Sequence, residues 1–227
     1  MKRLFLIGAA LLCYASMGWA ALEVQFVAVV PCAAISPGCT NPVTQSDFIY
    51  QATVTDLTKV SNANNGPDQQ AGGGDDNAPQ FFTIFDVQGF LGANTPLAGW
   101  TVSTSLLNNG APTNPVNPCA LNTNCANIDN ASQLNVTFMY TGATIPGPTV
   151  LLPFVITAVG SATRDGAYDS QNTKNEPGNP LNDNDLIGNN STIVVPAGGV
   201  PEPASMGLMG FGLGSLAFLL RRYKKVS

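Results

Sequence analysis

Apolar and polar residues alternate along most of the middle of the chain, with a period of two rather than 3.6. Because successive side chains of a β-strand point to opposite faces, this alternation predicts strands with one buried face. Val136 and Phe138, for example, alternate with Asn135 and Thr137. The pattern predicts seven strands or more, at residues 22–30, 47–57, 81–87, 100–107, 134–140, 149–159 and 191–195.

Turn-forming residues separate these segments, and no window has the periodicity of an amphipathic helix. The predicted fold class is all-β: an antiparallel β-sandwich, jelly-roll or Ig-like, with long polar loops. Three polar insertions interrupt the strands, at residues 58–80, 108–132 and 161–190. Loops of this length are usually functional or disordered, and the sequence leaves open which applies to each.

The amino-terminal residues have the layout of a secretory signal peptide. Lys2 and Arg3 form a basic start, an apolar run follows over residues 4–12, and small residues end at Ala20. Such a segment is too short and wrongly flanked for a stable membrane span. We expect cleavage between Ala20 and Ala21, with an uncleaved amino-terminal anchor as the alternative.

An uncharged apolar segment, residues 204–220, lies near the other end of the chain and is followed by basic residues. As a helix it would be about 25 Å long, at the short limit for a hydrocarbon core of about 30 Å. It therefore predicts one transmembrane helix. The positive-inside rule places residues 221–227 in the cytoplasm and the body of the protein outside. Pro201 and Pro203 keep the preceding junction extended, since neither can continue a helix.

This carboxy-terminal segment resembles the sorting signal of the PEP-CTERM proteins of Gram-negative bacteria. The resemblance covers about an eighth of the chain, and the residues that carry it are Val200, Pro201, Glu202, Pro203, Arg221 and Arg222. It implies recognition by an exosortase, a membrane cysteine transpeptidase, with cleavage near the Pro-Glu-Pro element. Because the ectodomains of this family vary widely, the resemblance implies no particular activity for the rest of the chain.

Charge is distributed unevenly between the ends and the body of the protein. The whole chain has a net charge of −5, and since the two ends contribute +5, residues 21–200 carry −10. A surface of this sign is repelled by nucleic acid and by anionic lipid, so no nucleic-acid partner is expected. Such a charge fits an extracellular protein that it keeps soluble, or one that collects divalent cations.

Four cysteines remain once the signal peptide is removed: Cys32, Cys39, Cys119 and Cys125. An even number in an exported domain favours disulfides, although three connectivities are possible. We prefer pairing within each local pair, because each pair flanks a loop rich in proline or asparagine. A four-cysteine zinc site is the alternative, but its cysteines usually stand closer together within each pair.

The chain contains no histidine, which excludes Ser-His-Asp and Cys-His catalysis. It also lacks a Gly-x-Ser-x-Gly elbow, a P-loop and a dinucleotide fingerprint in residues 21–200. A glycosidase with two carboxylates needs a facing pair that the sequence does not identify. We therefore predict that the protein is not an enzyme.

Asp183 and Asp185 are the candidate metal ligands, and calcium is the metal that their oxygen atoms favour. The segment is not an EF-hand loop, because Ile187 and Gly188 stand where further ligands would be needed. Asp and Asn also favour turns through bonds to the local backbone, which is the preferred interpretation here. Apart from this calcium hypothesis, no cofactor is expected.

The sequence thus divides into a signal peptide (1–20), a β-sandwich ectodomain (21–196) and a sorting segment (197–227). The expected function is that of an exported surface or extracellular-matrix protein, with a structural or interaction role in exopolysaccharide or biofilm. We expect anchoring in the inner membrane with a periplasmic ectodomain, followed by transfer to the cell surface or matrix after exosortase cleavage.

The alternative function is a calcium-assisted carbohydrate-binding module. Its stacking platform would come from the aromatic residues Tyr50, Trp100, Tyr140 and Tyr168. An aromatic residue on an alternating strand is more often part of the core than of a ligand surface. Exposed, coplanar rings would favour the binding module, and buried rings would favour a scaffold.

Overall fold

The structure, a computed structural model, describes residues 22–66, 70–74, 76–106, 130, 132–178 and 183–198. Within these residues the chain forms eleven strands and no helix. The strands are β1 (Glu23–Pro31), β2 (Gln45–Val54), β3 (Thr58–Val60), β4 (Gln80–Val87), β5 (Phe90–Asn94), β6 (Trp100–Ser105), β7 (Leu134–Tyr140), β8 (Ile145–Pro146), β9 (Thr149–Val159), β10 (Thr163–Lys174) and β11 (Leu186–Pro196).

The smaller sheet has four antiparallel strands in the order β1-β2-β9-β5. Every second residue over much of β2 is fully buried, namely Phe48, Tyr50, Ala52 and Val54. Several other apolar side chains on β1 and β9 are more than a third exposed, namely Val27, Val30, Val150, Leu152 and Val159. This sheet therefore has one face in the core and one face that is open to solvent.

The larger sheet has seven strands, and β10 lies at its centre. Along one edge β10 pairs with β11, from Thr163 to Thr173. Along the other edge it pairs first with β4, at Tyr168–Gln171, and then with β3, at Thr173–Lys174. From β4 the sheet continues through β7 to β6, and from β3 it continues to β8.

The two sheets pack face to face around one hydrophobic core. The ring of Phe154, on β9 of the smaller sheet, packs against three rings of the larger sheet, with centroid distances of 4.8 Å to Phe82, 4.9 Å to Trp100 and 5.1 Å to Phe138. Edge-to-face contacts of this kind add to the free energy gained by burying the rings. The predicted antiparallel all-β sandwich is confirmed by these paired sheets.

All seven strands that the alternation predicts are present, and Thr149–Val159 has the predicted bounds. Four further strands were not predicted. Two of them, β5 and β8, have five and two residues, too few to establish a period. The third, β3, lies inside the segment predicted as a polar insertion at residues 58–80.

The prediction of a polar insertion at residues 161–190 is wrong for most of its length, because it contains β10 and the start of β11. The strand β10 is polar in sequence and yet buried. Ser170 Oγ donates to the carbonyl oxygen of Leu22 at 2.6 Å, and Gln171 Nε2 donates to that of Pro79 at 2.9 Å. Since these partners satisfy the polar side chains, burial does not require the apolar alternation on which the prediction depended.

Several predicted features lie outside the described residues: the signal peptide with Ala20 and Ala21, the second cysteine pair, the Pro-Glu-Pro element and the transmembrane segment. These remain predictions.

Within the part of the chain that the structure covers, no helix has the length and apolar character needed to cross a membrane.

Candidate functional site

The two predicted metal ligands lie in the turn between β10 and β11, and each is paired with a lysine. Lys59 Nζ lies 3.1 Å from Asp183 Oδ1, and Lys174 Nζ lies 3.5 Å from Asp185 Oδ2. The side chain of Asp185 is 5% exposed and that of Asp183 is 26% exposed. We call these four residues the lysine–aspartate cluster.

Backbone and amide groups hold the cluster in place. Asn65 Nδ2 donates to the carbonyl oxygen of Asp183 at 3.1 Å, and the backbone N–H of Glu176 donates to Asp183 Oδ1 at 3.1 Å. Partial burial alone would raise the pKa of Asp183, but the hydrogen bond and charge of Lys59, with backbone N–H donors, hold this pKa below its usual value. The cluster therefore favours two ionised carboxylates, each with a cation beside it.

Calcium binding at Asp183 and Asp185 remains a prediction. Among the described residues, no three or more His, Cys, Asp or Glu side chains form a group that could hold a metal ion. Both carboxylates already have a lysine within ion-pair distance, which gives them a structural role. The sequence offered no sign of these partners, because Lys59 and Asp183 are 124 positions apart.

Asp169, on β10, is an acid that the sequence analysis did not single out. Burial raises its pKa to about 6. Its cross-strand neighbours are Thr83 on β4 and Asn190 on β11, neither of which is a carboxylate. General acid–base catalysis by two carboxylates needs a second titratable group facing the first. The absence of enzymatic activity remains a prediction.

The four aromatic residues considered for carbohydrate stacking are all buried. Tyr50 is 0%, Trp100 8%, Tyr140 3% and Tyr168 3% exposed. Trp100 and Tyr140 contact each other within the core, with ring centroids 5.1 Å apart. Because a stacking platform must be open to solvent, this arrangement favours the scaffold over the carbohydrate-binding module.

The predicted disulfide between Cys32 and Cys39 is confirmed, and it closes the loop between β1 and β2. Asp47 supports this loop from within the sheet. Its carboxylate accepts hydrogen bonds from the backbone N–H of Ala33 at 3.2 Å, from Ser36 Oγ at 2.6 Å and from Thr157 Oγ1 at 2.8 Å. A carboxylate with three donors anchors the loop without a lysine or arginine.

The last strand ends at Pro196, two residues before the last described residue, Gly198. The backbone N–H of Ala197 still donates to the carbonyl oxygen of Ala162 at 2.9 Å. A parallel bridge also links Ala197 to Gln88. The chain is thus fixed to the sandwich up to the point where the predicted sorting segment begins.

The model of one protein family, described as the PEP-CTERM protein-sorting motif, matches residues 199–225. The resemblance that the sequence predicted is therefore confirmed for this segment. The motif implies an exported, membrane-anchored protein that exosortase recognises and processes. No curated protein and no solved structure matches the chain.

Proposed function

We propose that this chain is a non-catalytic structural or interaction protein of the cell surface or extracellular matrix. In this proposal a signal peptide exports the chain, residues 204–220 hold it in the inner membrane with a periplasmic body, and exosortase cleaves near Pro201–Pro203. One observation carries the proposal: the sorting motif at residues 199–225 follows the final strand of a single-core sandwich within three residues. The sandwich is therefore the cargo that the motif delivers.

The environment of the reactive side chains supports a structural role for this cargo. Asp183 and Asp185 are paired with lysines, Asp47 anchors a loop, and the aromatic residues fill the core. In a binding or catalytic site, by contrast, such groups converge on an open cleft. The proposed partner outside the membrane is exopolysaccharide, which would hold the released sandwich in the matrix.

The delivery step can be tested in the native host by fractionating membrane, cell surface and medium. We expect wild-type protein in the surface or medium fraction, and the variant Pro201→Ala/Glu202→Ala/Pro203→Ala in the membrane fraction. A matched control is Pro196→Ala, which changes a proline at the end of β11 and leaves the motif intact. Release of the triple variant at the wild-type rate would contradict the proposal.

The calcium hypothesis has a separate test that uses stability. If calcium binds at Asp183 and Asp185, it stabilises the folded state and raises Tm, and the rise disappears in Asp183→Ala/Asp185→Ala. We propose that the ion pairs with Lys59 and Lys174 take the place of the metal, so that calcium leaves Tm unchanged. A rise in Tm that requires both aspartates would instead favour the calcium-assisted binding module.

A further inference from the structure

The place where the described chain ends identifies one end of the sandwich. Gly198 Cα lies 3.2 Å from the position that a Cβ atom would take on Gly89, and Val159 Cβ lies 3.3 Å from that position. The backbone N–H of Val159 also donates to the carbonyl oxygen of Gly89 at 2.9 Å. The ends of β9 and β11 and the turn between β4 and β5 therefore meet here, and we call this the exit end.

The loop between β1 and β2, residues 32–44, lies at the exit end. The backbone N–H of Gly160 donates to the carbonyl oxygen of Thr44 at 2.7 Å, which joins the loop to the end of β9. The loop also packs closely on β5, because a Cβ atom on Gly38 would lie 2.4 Å from the carbonyl oxygen of Leu91. The Cys32–Cys39 disulfide closes it further, so this loop is a fixed part of the sandwich.

Two large aliphatic side chains project from this fixed loop into solvent. Ile35 is 91% exposed and Val43 is 90% exposed, the highest values among the exposed large hydrophobic residues of the described chain. The sequence has no charged residue between Glu23 and Asp47. Folding of the sandwich does not account for these side chains, because they bury almost nothing within it.

The charged groups at the exit end belong to the other sheet. Arg164, on β10, donates to the carbonyl oxygen of Asp86 at 2.5 Å and to Gln133 Oε1 at 3.2 Å. Asp86 Oδ1 in turn accepts a hydrogen bond from the backbone N–H of Asn130 at 2.8 Å. These charges are engaged within the larger sheet, so the disulfide-closed loop presents an apolar and uncharged surface beside them.

The length of the chain after Gly198 shows what lies opposite this surface. Six residues separate Gly198 from Ala204, where the apolar segment begins, and at about 3.5 Å per residue they reach at most about 20 Å. Before cleavage, the exit end is therefore held close to the bilayer. A body with excess negative charge is repelled by anionic lipid, so an uncharged apolar loop is the part best suited to approach it.

We propose that Ile35 and Val43 insert into the interfacial region of the bilayer while the protein is membrane-held. This inference rests on the proposed function, since it requires residues 204–220 to lie in the membrane. Burial of the two side chains among the lipid headgroups and upper acyl chains removes apolar surface from water. The contact would fix the orientation of the sandwich and present the Pro-Glu-Pro element at a constant height for exosortase.

Photocrosslinking of the full chain in its native membrane tests this contact. The amino acid p-benzoylphenylalanine is placed at position 35 or 43, in a strain without exosortase so that the chain stays uncleaved. Matched controls are positions 57 and 150, where Leu57 is 57% and Val150 is 59% exposed. Both control positions lie at the opposite end of the smaller sheet, after β2 and at the start of β9.

We expect lipid adducts, detected by mass, in several-fold excess at positions 35 and 43 over the two controls. Equal yields at all four positions would overturn the inference, and so would adducts between two copies of the chain. Both of these outcomes leave the proposed function intact if the chain remains in the membrane fraction. A chain absent from that fraction would contradict the proposed function itself, and the inference with it.

Discussion

The two sheets of the sandwich differ in how they use polar residues. The strands of the smaller sheet contain two ionisable residues, Glu23 and Asp47. The strands of the larger sheet contain six, namely Lys59, Asp86, Arg164, Asp165, Asp169 and Lys174. The larger sheet also buries uncharged polar side chains completely, among them Gln80, Thr137, Ser170 and Asn172. One sheet is therefore held mainly by apolar burial, and the other by burial together with a hydrogen-bonded polar network.

This difference suggests that the sheets have separate roles. The smaller sheet, with its uncharged loop and open apolar face, lies on the side of the sandwich that can approach a membrane. The larger sheet satisfies its polar groups internally, through pairs such as Thr83 with Thr137, whose hydroxyl oxygens lie 2.8 Å apart. Polar residues in this protein are thus markers of structure rather than of a reactive site.

The largest effect is expected where the two sheets meet, at Phe154. The variant Phe154→Ala removes a buried ring that contacts Phe82, Trp100 and Phe138. We expect the free energy of unfolding to fall by about 3–5 kcal/mol, as for other aromatic-to-alanine changes in cores. Urea denaturation measures the change. Val150→Ala, on the same strand but 59% exposed, is the control, and we expect it to cost less than about 1 kcal/mol. Equal losses in both variants would show that the sheets do not share this core.

The polar network of the larger sheet is tested at Asn64, which is 6% exposed. Its side chain accepts hydrogen bonds from the backbone N–H groups of Gly66 and Ala78, and it donates to the carbonyl oxygen of Ala78 at 2.8 Å. Since Asn64→Ala leaves three backbone groups without these partners, we expect a loss of about 3 kcal/mol in urea denaturation.

Asn62→Ala is the matched control, because Asn62 is exposed and donates one long hydrogen bond, of 3.5 Å, to Thr141. We expect this variant to stay within about 0.5 kcal/mol of the wild type. If Asn64→Ala is equally mild, the polar network does not stabilise the larger sheet and the comparison between the sheets fails.

These two sites also show what the sequence can and cannot predict. Phe154 belongs to β9, whose apolar pattern gave the strand its correct bounds, and the same reasoning found most of the smaller sheet. Asn64 belongs to a segment predicted as a polar insertion, and β10 was missed for the same reason. A buried amide and a solvated amide look alike in a sequence. What separates them is a partner from a distant part of the chain, such as Leu22 for Ser170, 148 positions away.

The candidate sites divide in the same way. The Cys32–Cys39 disulfide and the sorting motif were predictable because their residues are close in sequence. The partners of Asp183 and Asp185 were not, because Lys59 and Lys174 reach them only through the pairing of β3, β10 and β11. The exposure of Ile35 and Val43 was not predictable either, since apolar residues in a loop can equally cover a core.

The disulfide tests the smaller sheet, whose loop it closes. Because the bond spans seven positions, a chain-entropy estimate gives a loss of about 2.5 kcal/mol in Cys32→Ser/Cys39→Ser. Differential scanning calorimetry would record this as a lower Tm. The control Ile35→Ser changes an exposed residue of the same loop and leaves the disulfide intact, so we expect an unchanged Tm. A double variant as stable as the wild type would show that contacts with β5 alone hold the loop.

The smallest effects are expected from two carboxylates of the larger-sheet side, and they should have opposite signs. The pKa of Asp183 is lowered, so its ion pair stabilises the fold above the carboxyl's usual pKa, and this contribution is lost as the pH falls through the lowered value. Asp183→Asn should therefore cost about 1 kcal/mol or less at pH 7, and nothing in strong acid.

The pKa of Asp169 is raised to about 6, so ionisation of this carboxyl opposes folding. The penalty is absent below the pKa of the unfolded chain, about 3.9, grows up to about pH 6 and is constant above it. Asp169→Asn should therefore stabilise the protein at pH 7 and leave it unchanged at pH 3. Urea denaturation of both variants across this pH range gives the result. Two curves of the same sign would contradict this account of the larger sheet's charges.

The intact mass of the protein recovered from its native host, measured separately for cells and medium, tests the central claim most directly. The account predicts a species that begins at Ala21 and ends between Val200 and Pro203, found outside the membrane fraction. Such a mass requires both cuts, by signal peptidase and by exosortase, and leaves the sandwich whole. A mass that runs through Ser227 and stays in the membrane would contradict the account, because the sorting motif would then serve only as an anchor.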